Sequence, residues 1–591
     1  MKTIKESAEM KFNIGSLPWL VLLVIVLSFT SPRTARSNET GEASRPNILF
    51  ISIDDLNDWI GCLGGHPQAR TPNIDRLAEK AMLFTNAHCS SPSCNPSRTA
   101  IMTGIPCYRS GLYDNRQRMR DKLPDAELIP KYFSRNGYWS AGSGKLLHYF
   151  IDADSWDQYY PAKETENPFP PTLYPEVRPV SLPRGGDWQY IETDWGPLDV
   201  TDEEFGGDWL VSKWVGEKLA QKHDKPFFLA CGIYRPHEPW FVPKKYFDQF
   251  PLDEIKLPSG YLADDLKDVP PAGQSIRPRK YFPHIQKHDQ WKQGVQGYLA
   301  SIAFADAMVG RVLKALDEGP NSDNTIVVLW SDHGWHLGEK EHWQKYTAWR
   351  VCSRVPLIFK VPKGIESCPA GTAAGSKCDQ PVSLASLYST LTELAGLPDK
   401  PRQTEPSLVP LLNDSQADWP HLAITHMDKP QNYSVSGQRF RYIHYANGDQ
   451  ELYDIESDPF EWKNLASQPQ HSKTIERLKR GAPTEFAKFV PAKMRTLVEL
   501  DWSPGSELPS SKPSGDKFDI FFNNKSGQPV IIFRIGEDGT RQSYGTLESG
   551  WFKPYATRAG EAWLVTDKSE KSLGHFVVGK EEAQAIIPKV Q

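Results

Sequence analysis

Cysteine is scarce in this sequence. Eight residues among 591 form neither a dense disulfide framework nor a pattern at zinc-site spacing. A basic excess is also missing: 68 lysines and arginines stand against 73 aspartates and glutamates, a net charge of −5. Nothing in that balance points to nucleic acid as a partner. No internal repeat or low-complexity tract interrupts the chain. The apolar run 17-LPWLVLLVIVLSF-29 is short of the roughly 20 residues that span a bilayer. What is plentiful is proline (49), glycine (42) and tryptophan (19). The first two suit long structured loops, and the third suits core packing or a carbohydrate platform.

The same apolar run follows Lys2, Lys5 and Lys11 and ends at 30-TSPRTARSN-38, where Ala35 and Ser37 are the small residues a signal peptidase prefers. Residues 1–37 are expected to be a secretory signal, with an uncleaved anchor as the alternative. The expected location is therefore exported: periplasmic, extracellular or another secretory compartment. In such a compartment Cys368 and Cys378, in a polar Gly/Ala/Pro loop, are the most plausible disulfide.

Three stretches share one design: 45-RPNILFISIDDLND-58, 226-PFFLACGIYRPHEP-239 and 324-NTIVVLWSDHGWH-336. Each reads as a buried parallel strand with polar residues at its C-terminal end. Helical patterns at 73–84, 296–319 and 384–396 lie between or after them. The alternation predicts an α/β fold, a large central sheet between helices, with a ligand site at the carboxyl edge of the strands. From about residue 413 to 501 the pattern changes to short alternating strands with Asn-Gly and Ser-Gly turns, then a charged helix at 471–481. This predicts a small antiparallel C-terminal subdomain after a catalytic domain at 45–412. Residues 502–516, WSPGSELPSSKPSGD, read as a linker. Residues 517–591 read as an appended all-β sandwich.

The strand ends carry the chemistry. Asp54 and Asp55 close the first, His237 follows the second, and Asp332 and His333 close the third. Carboxylates gathered at one edge repel unless a cation sits among them. Three carboxylates favour a hard ion such as Ca²⁺ or Mg²⁺, while one histidine leaves Mn²⁺ or Zn²⁺ open. Arg98, Lys145 and Lys345 add cations that would suit a small tetrahedral anion. His148 follows Lys145 by three residues, which on a helical turn would share its face. Cys94 stands just before a helix start in 93-SCNPSRTAIMTG-104, where backbone N–H groups favour negative charge. Metal-assisted hydrolysis of a sulfate or phosphate ester follows from this set.

From about residue 46 to 500 the chain resembles the type I sulfatases, and among them the iduronate-2-sulfatase branch. The likeness rests on IDDL (53–56), TPNIDRLA (71–78), CNPSR (94–98), TG (103–104), GKLLH (144–148), PFFLACGIYRPHEP (226–239), SDHGWHLGEKEHWQKY (331–346), VPLI (355–358) and ELYDIESDPFEWKNLA (451–466). It implies an alkaline-phosphatase-like sulfatase fold. It also implies that Cys94 is oxidised to formylglycine by a maturation enzyme, and that one Ca²⁺ is held by Asp54, Asp55, the modified Cys94, Asp332 and His333. Arg98 would support the attacking hydroxyl, Lys145 and Lys345 would clamp sulfate oxygens, His237 would serve as general acid, and His148 would serve as base during sulfate release. The implied substrate is a sulfated carbohydrate, a uronate 2-O-sulfate being one option. Arg109, Arg116, Arg118 and Arg120 could meet its carboxylate, although a solvated basic loop explains them as well. Trp335, His336 and Trp343 could meet a sugar, or could be core. A phosphoester or phosphonate hydrolase on the same scaffold and a catalytically silent glycan-binding protein are the alternatives.

Residues from about 517 to 567 resemble the β domain of the von Hippel–Lindau tumour suppressor. Asn524, Ser526, Asp538, Gly539, Tyr544, Thr546, Leu547, Gly550, Trp563 and Leu564 carry the likeness. Tyr544 and Trp563 match two positions of that family's hydroxyproline pocket, while Arg534, Thr557 and Glu561 depart from it. A protein or glycan ligand is the expectation for this domain, with a stabilising appendage as the alternative.

Overall fold

The computed structural model describes residues 45–163, 166–175, 182, 193–276, 281–398, 404–490, 497–505, 507–547, 549–550 and 552–589. The expected signal at 1–37 lies outside them. None of the described helices is long and apolar enough to cross a membrane.

The apolar stretches become strands because each can be buried on both faces. β1 (Asn47–Ile53), β2 (Met82–Phe84), β3 (Trp139–Gly144), β4 (Gln158–Tyr160), β5 (Phe227–Ile233), β6 (Thr325–Ser331), β7 (Leu357–Lys360) and β8 (Ser376–Cys378) form one sheet in the order β8-β2-β7-β6-β1-β5-β3-β4. β1 is central, parallel to both β5 and β6; β7 runs antiparallel to β6 and β2, so the sheet is mixed. Successive side chains point to opposite faces. Leu49, Ile51 and Ile53 pack with helices α1 (Pro72–Glu79), α3 (Asp208–Leu219) and α4 (Trp291–Glu318). Ile48 and Phe50 pack on the other face with α2 (Cys94–Thr103) and α5 (Leu387–Leu394). β5 and β6 divide their residues in the same way, which is the layered α/β architecture that the alternation predicts.

The second unit is a four-stranded antiparallel sheet, β9 (Ala423–His426), β10 (Tyr433–Ser436), β11 (Phe440–His444) and β12 (Gln450–Asp454), with helix α6 (Ser472–Arg480) packed on it through Ile475 and Leu478. It is bonded directly to the α/β layers. The His426 amide donates to the Ser90 carbonyl at 2.9 Å, and the Thr425 hydroxyl donates to the Cys89 carbonyl at 2.7 Å. Buried Arg441 pairs with Glu461 and donates to the Ala348 carbonyl at 2.7 Å and the Ser353 hydroxyl at 2.9 Å.

The C-terminal residues form a four-stranded and a five-stranded sheet that share one core, including Ile520, Phe522, Ile532, Trp563, Val565, Phe576 and Ala585. Two expectations need correction here. The stretch 502–516 is not a free linker: Ser503–Pro504 pairs with Ser572–Val577 in the five-stranded sheet, and the strand Ser514–Asn524 begins inside it. Pro504 sits on the edge strand of its sheet, where a missing N–H is tolerated. Cys368 and Cys378 are not joined; all eight cysteines are free thiols. Both are fully buried in the core beside β8, and core packing, not a covalent link, holds them.

Candidate active site

β1 ends at Ile53, and Asp54 and Asp55 follow with no exposure to solvent. Asp55 takes the left-handed backbone region, φ 59°, which is uncommon for a non-glycine residue and tolerated best by aspartate and asparagine. Its amide then donates to Asp332 Oδ1 at 3.0 Å, which ties the end of β1 to the end of β6. β3 ends at Gly144, where φ is +77° and an added Cβ would lie 2.0 Å from the Gly232 carbonyl oxygen. Glycine is required at that approach, and it delivers Lys145 to the same edge. Residues 146–149 form bends, so Lys145 and His148 do not share a helical face as the spacing suggested; the loop itself brings both to Cys94.

Cys94 is the first residue of α2, all ten residues of which are buried. Ser97 fixes the helix start by donating to the Asp332 carbonyl at 2.7 Å. Asn115, which no sequence pattern marked, accepts from the Ser93 hydroxyl at 2.6 Å and the Asn95 amide at 2.9 Å. Cys94 Sγ lies 3.0 Å from Lys345 Nζ, 3.3 Å from His333 Nε2 and 3.8 Å from Lys145 Nζ. Burial alone would raise its pKa, but Lys145, Lys345 and His333 outweigh that and hold the thiol well below its usual range.

Arg98 lies at the same edge and is held by the strand ends. Its Nε donates to Asp332 Oδ2 at 2.8 Å, Nη2 to Asp54 Oδ1 at 3.0 Å, and Nη1 to the Lys145 carbonyl at 2.6 Å. The guanidinium therefore joins the ends of β1, β6 and β3 and orients the carboxylates; its hydrogen bonds do not reach the Cys94 side chain. Burial works against Asp54 being ionised, yet Lys145 and Arg98 keep its carboxyl well below the ordinary range. Burial pushes Asp332 up to about 6 despite Arg98. Burial pulls His333 down, but Asp332 and its other anionic neighbours lift it to about 9.

Lys345 Nζ also donates to Asp55 Oδ1 at 2.7 Å. His237 Nε2 faces Asp55 Oδ2 at 3.7 Å, and the ring stacks on Tyr234 with centroids 4.7 Å apart. Burial lowers the His237 pKa, and Asp55 reverses the shift so that the net change is upward, which favours a proton donor. Burial lowers His148, with the Cys94 sulfur beside it opposing the change. Nδ1 of His148 has no hydrogen-bond partner among the described residues. All ten sequence-predicted site residues thus meet at one buried edge.

One ligand atom from each of Asp54, Asp55, Cys94, Asp332 and His333 lies within 4.8 Å of all the others. Asp55 Oδ2 is buried without a hydrogen-bond partner among the described residues. An orphaned carboxylate oxygen in such a cluster fits a divalent cation, because burying it uncompensated is costly. The tightly gathered oxygens suit a hard ion.

The residues considered for the sugar do not join this cluster in the same way. Arg116 and Arg120 are paired with Asp114 and Asp152, and Arg109 and Arg118 are exposed. Trp335, His336 and Trp343 are at most 1 % exposed. Trp343 Nε1 donates to Glu238 at 3.2 Å, and His336 Nε2 meets the Thr347 hydroxyl at 2.6 Å. They are core under the site.

Comparison with known proteins agrees with this geometry. A family profile described as "Sulfatase" matches residues 46–397, and one described as "N-sulphoglucosamine sulphohydrolase, C-terminal" matches residues 338–484. A sulfatase of Formosa agariphila is 38 % identical over 478 residues, covering 79 % of this chain and 92 % of that protein. The iduronate 2-sulfatase of Mus musculus is 30 % identical over 520 residues, covering 73 % and 93 %. A solved structure of a protein in complex with its substrate D-glucosamine-2-N,6-O-disulfate superposes with a TM-score of 0.58 at 22 % identity, over 74 % of this chain and 96 % of that one. That likeness establishes the fold.

Proposed function

The chain belongs to the sulfatase family, and from that premise we propose that it is an exported, Ca²⁺-dependent sulfatase that removes sulfate from a sulfated glycan through a formylglycine made from Cys94. The observation that carries the reading is the buried cluster in which Asp54, Asp55, Cys94, Asp332 and His333 come within 4.8 Å of one another. Two lysines stand over its sulfur.

Oxidised by a maturation enzyme, Cys94 would supply a hydrated aldehyde: one hydroxyl to attack sulfur, and a second whose deprotonation expels sulfate and restores the aldehyde. The cation would supply Lewis-acid polarisation of the sulfate oxygens. Lys145 and Lys345 neutralise the remaining sulfate charge from either side of Cys94. His237, whose pKa Asp55 shifts upward against the effect of burial, donates to the leaving sugar oxygen. His148, beside Cys94 and with Nδ1 unengaged, takes the proton of the second hydroxyl. Arg98 positions Asp54 and Asp332 and leaves the chemistry to them. A uronate 2-O-sulfate is the substrate we favour, on the strength of the iduronate 2-sulfatase relatives.

The C-terminal sandwich we assign to attachment, to a protein or a glycan. Trp563 is fully buried and donates its N–H to the Thr557 hydroxyl at 3.0 Å, with the Tyr544 ring 4.8 Å away. The two matched positions are therefore spent on packing, and attachment would use the outer face.

The test is the mass of the tryptic peptide that ends at Arg98, from protein made together with a maturation enzyme. Replacement of sulfur and two hydrogens by one oxygen at Cys94 is expected, together with sulfate release from sulfated disaccharides. An unmodified thiol, or turnover of phosphate esters and not sulfate esters, would refute the proposal.

A further inference from the structure

Arg235 is a buried cation, 1 % exposed, that forms no ion pair among the described residues. Its hydrogen bonds to backbone carbonyls are long: Nε and Nη2 to Phe241 at 3.4 and 3.3 Å, and Nη1 to His237 at 3.5 Å. The Tyr174 hydroxyl is a further polar neighbour. Asp208, 27 positions away in the chain but a neighbour in space that also lines the cavity beside Arg235, spends its two oxygens on the amides of Tyr234 and Arg235 at 2.7 and 2.9 Å, and burial pushes it up to about 6. The Tyr174, Phe205 and Tyr234 rings lie 5.9, 5.7 and 5.2 Å from the guanidinium carbon and offset part of the cost of burying the charge, but they leave its N–H donors to three long carbonyl contacts and a tyrosine, so an oxyanion would complete it.

Beside Arg235 lies a cavity of about 480 Å³, lined among others by Lys145, Tyr149, Phe169, Tyr174 and Tyr234. That size is within the roughly 300–1,000 Å³ of ligand pockets. It adjoins the reaction centre through Lys145, whose Nζ is 3.8 Å from Cys94 Sγ. Its walls are aromatic. The Tyr149 and Phe169 rings are 5.3 Å apart, Phe169 and Tyr234 are 5.2 Å apart, and Tyr234 continues onto His237. Tyr149 is 42 % exposed, and its backbone has φ 61°, so its ring is held at this rim by a turn that a non-glycine residue rarely adopts. Flat apolar walls suit the C–H faces of a sugar ring. Lys145 at one end is committed to the reacting sulfate, which leaves Arg235 as the second fixed cation.

We infer that Arg235 receives a second oxyanion of the substrate, a carboxylate or a further sulfate, carried by the sugar that enters this cavity. The inference rests on the sulfatase reading above and adds the residue that sets its specificity. A planar guanidinium recognises either anion through two parallel hydrogen bonds.

The experiment compares kcat/KM on three sulfated monosaccharides that share the scissile sulfate: a uronate, its carboxyl-reduced counterpart, and a carboxyl-reduced counterpart with a second sulfate. The wild-type enzyme is expected to prefer one anionic substrate over the singly charged one by roughly 100-fold, mostly in KM. Which anion is preferred distinguishes carboxylate from sulfate. Arg235→Gln should bring that ratio close to one, and Arg235→Lys should restore part of it, since charge survives while the paired geometry is lost. A wild-type ratio near one overturns the inference, and so does an unchanged ratio in folded Arg235→Gln. If the glutamine variant does not fold, Arg235→Lys decides: a drop of several-fold supports the role, and an unchanged ratio refutes it. Failure of the wild-type protein to release sulfate from any of the three would instead sink the sulfatase reading.

Discussion

His426 should make this enzyme acid-sensitive in a way that can be isolated. The residue ends β9 and is 2 % exposed, and neither ring nitrogen has a hydrogen-bond partner among the described residues. Tyr108, Tyr113, Tyr433 and Phe486 surround the ring at centroid distances of 5.4, 6.5, 6.4 and 6.1 Å. Burial lowers its pKa from 6.5 to about 3 in the folded protein. A depressed folded pKa means that the stability contribution is complete above the unfolded value and is lost as pH falls toward the folded one. Between neutral pH and about pH 5 the unfolded chain takes up nearly one proton that the folded chain refuses. At 1.36 kcal/mol per unit, that penalty is about 2 kcal/mol. The perturbation is His426→Phe, which keeps an aromatic ring and removes the titration. The assay is denaturant unfolding of both proteins near pH 7.5 and near pH 5, read as the difference between their pH-dependent changes, so that every other titrating group cancels. The wild type should lose about 2 kcal/mol more than the variant. Equal losses would show that the cage opens to water or protonates without cost, and would refute the argument. Because the His426 amide holds the Ser90 carbonyl at 2.9 Å, acid loosening should reach the loop that carries Cys94.

Two further outcomes follow from buried groups. Glu461→Gln leaves Arg441, with no solvent exposure, facing a neutral partner in the contact between β11 and residues 348–353; a loss of about 3–5 kcal/mol is expected in unfolding measurements, and a change below about 1 kcal/mol would contradict the buried-pair account. Thiol titration of the denatured, fully matured chain should find one thiol fewer than the eight cysteines, the missing one being Cys94; three fewer would indicate that Cys368 and Cys378 are oxidised after all.

Local pattern was enough for the parts of this protein that are built locally. A strand buried on both faces must be apolar throughout, so β1, β5 and β6 were legible as runs bounded by turns. The acids at their ends were legible because side chains that cannot be buried unpaired mark where such a strand stops. Cys94 and Arg98 were legible as a motif, and the order of several motifs named the family. The contacts of Arg98 were not, since a guanidinium chooses its carboxylates by three-dimensional distance: Asp54 and Asp332 are 278 positions apart in the chain and meet at one side chain. The composition of 502–516 suggested a linker because proline and glycine are common both in linkers and at strand edges, and sequence alone does not separate the two.

The sequence by itself therefore determined the fold class, the motif that places Cys94 and the set of groups that could hold a cation and a tetrahedral anion, because each depends on residue type and local spacing. Only the tertiary structure decided which cations lack an ion-pair partner among the described residues. Arg116 and Arg120 are neutralised by nearby acids, while Arg235 is buried beside an aromatic cavity and forms no ion pair among the described residues, the one acid beside it, Asp208, being spent on backbone amides. Charge pairing is set by distances across the fold, and those distances exist only after β3, β5 and α3 have packed together.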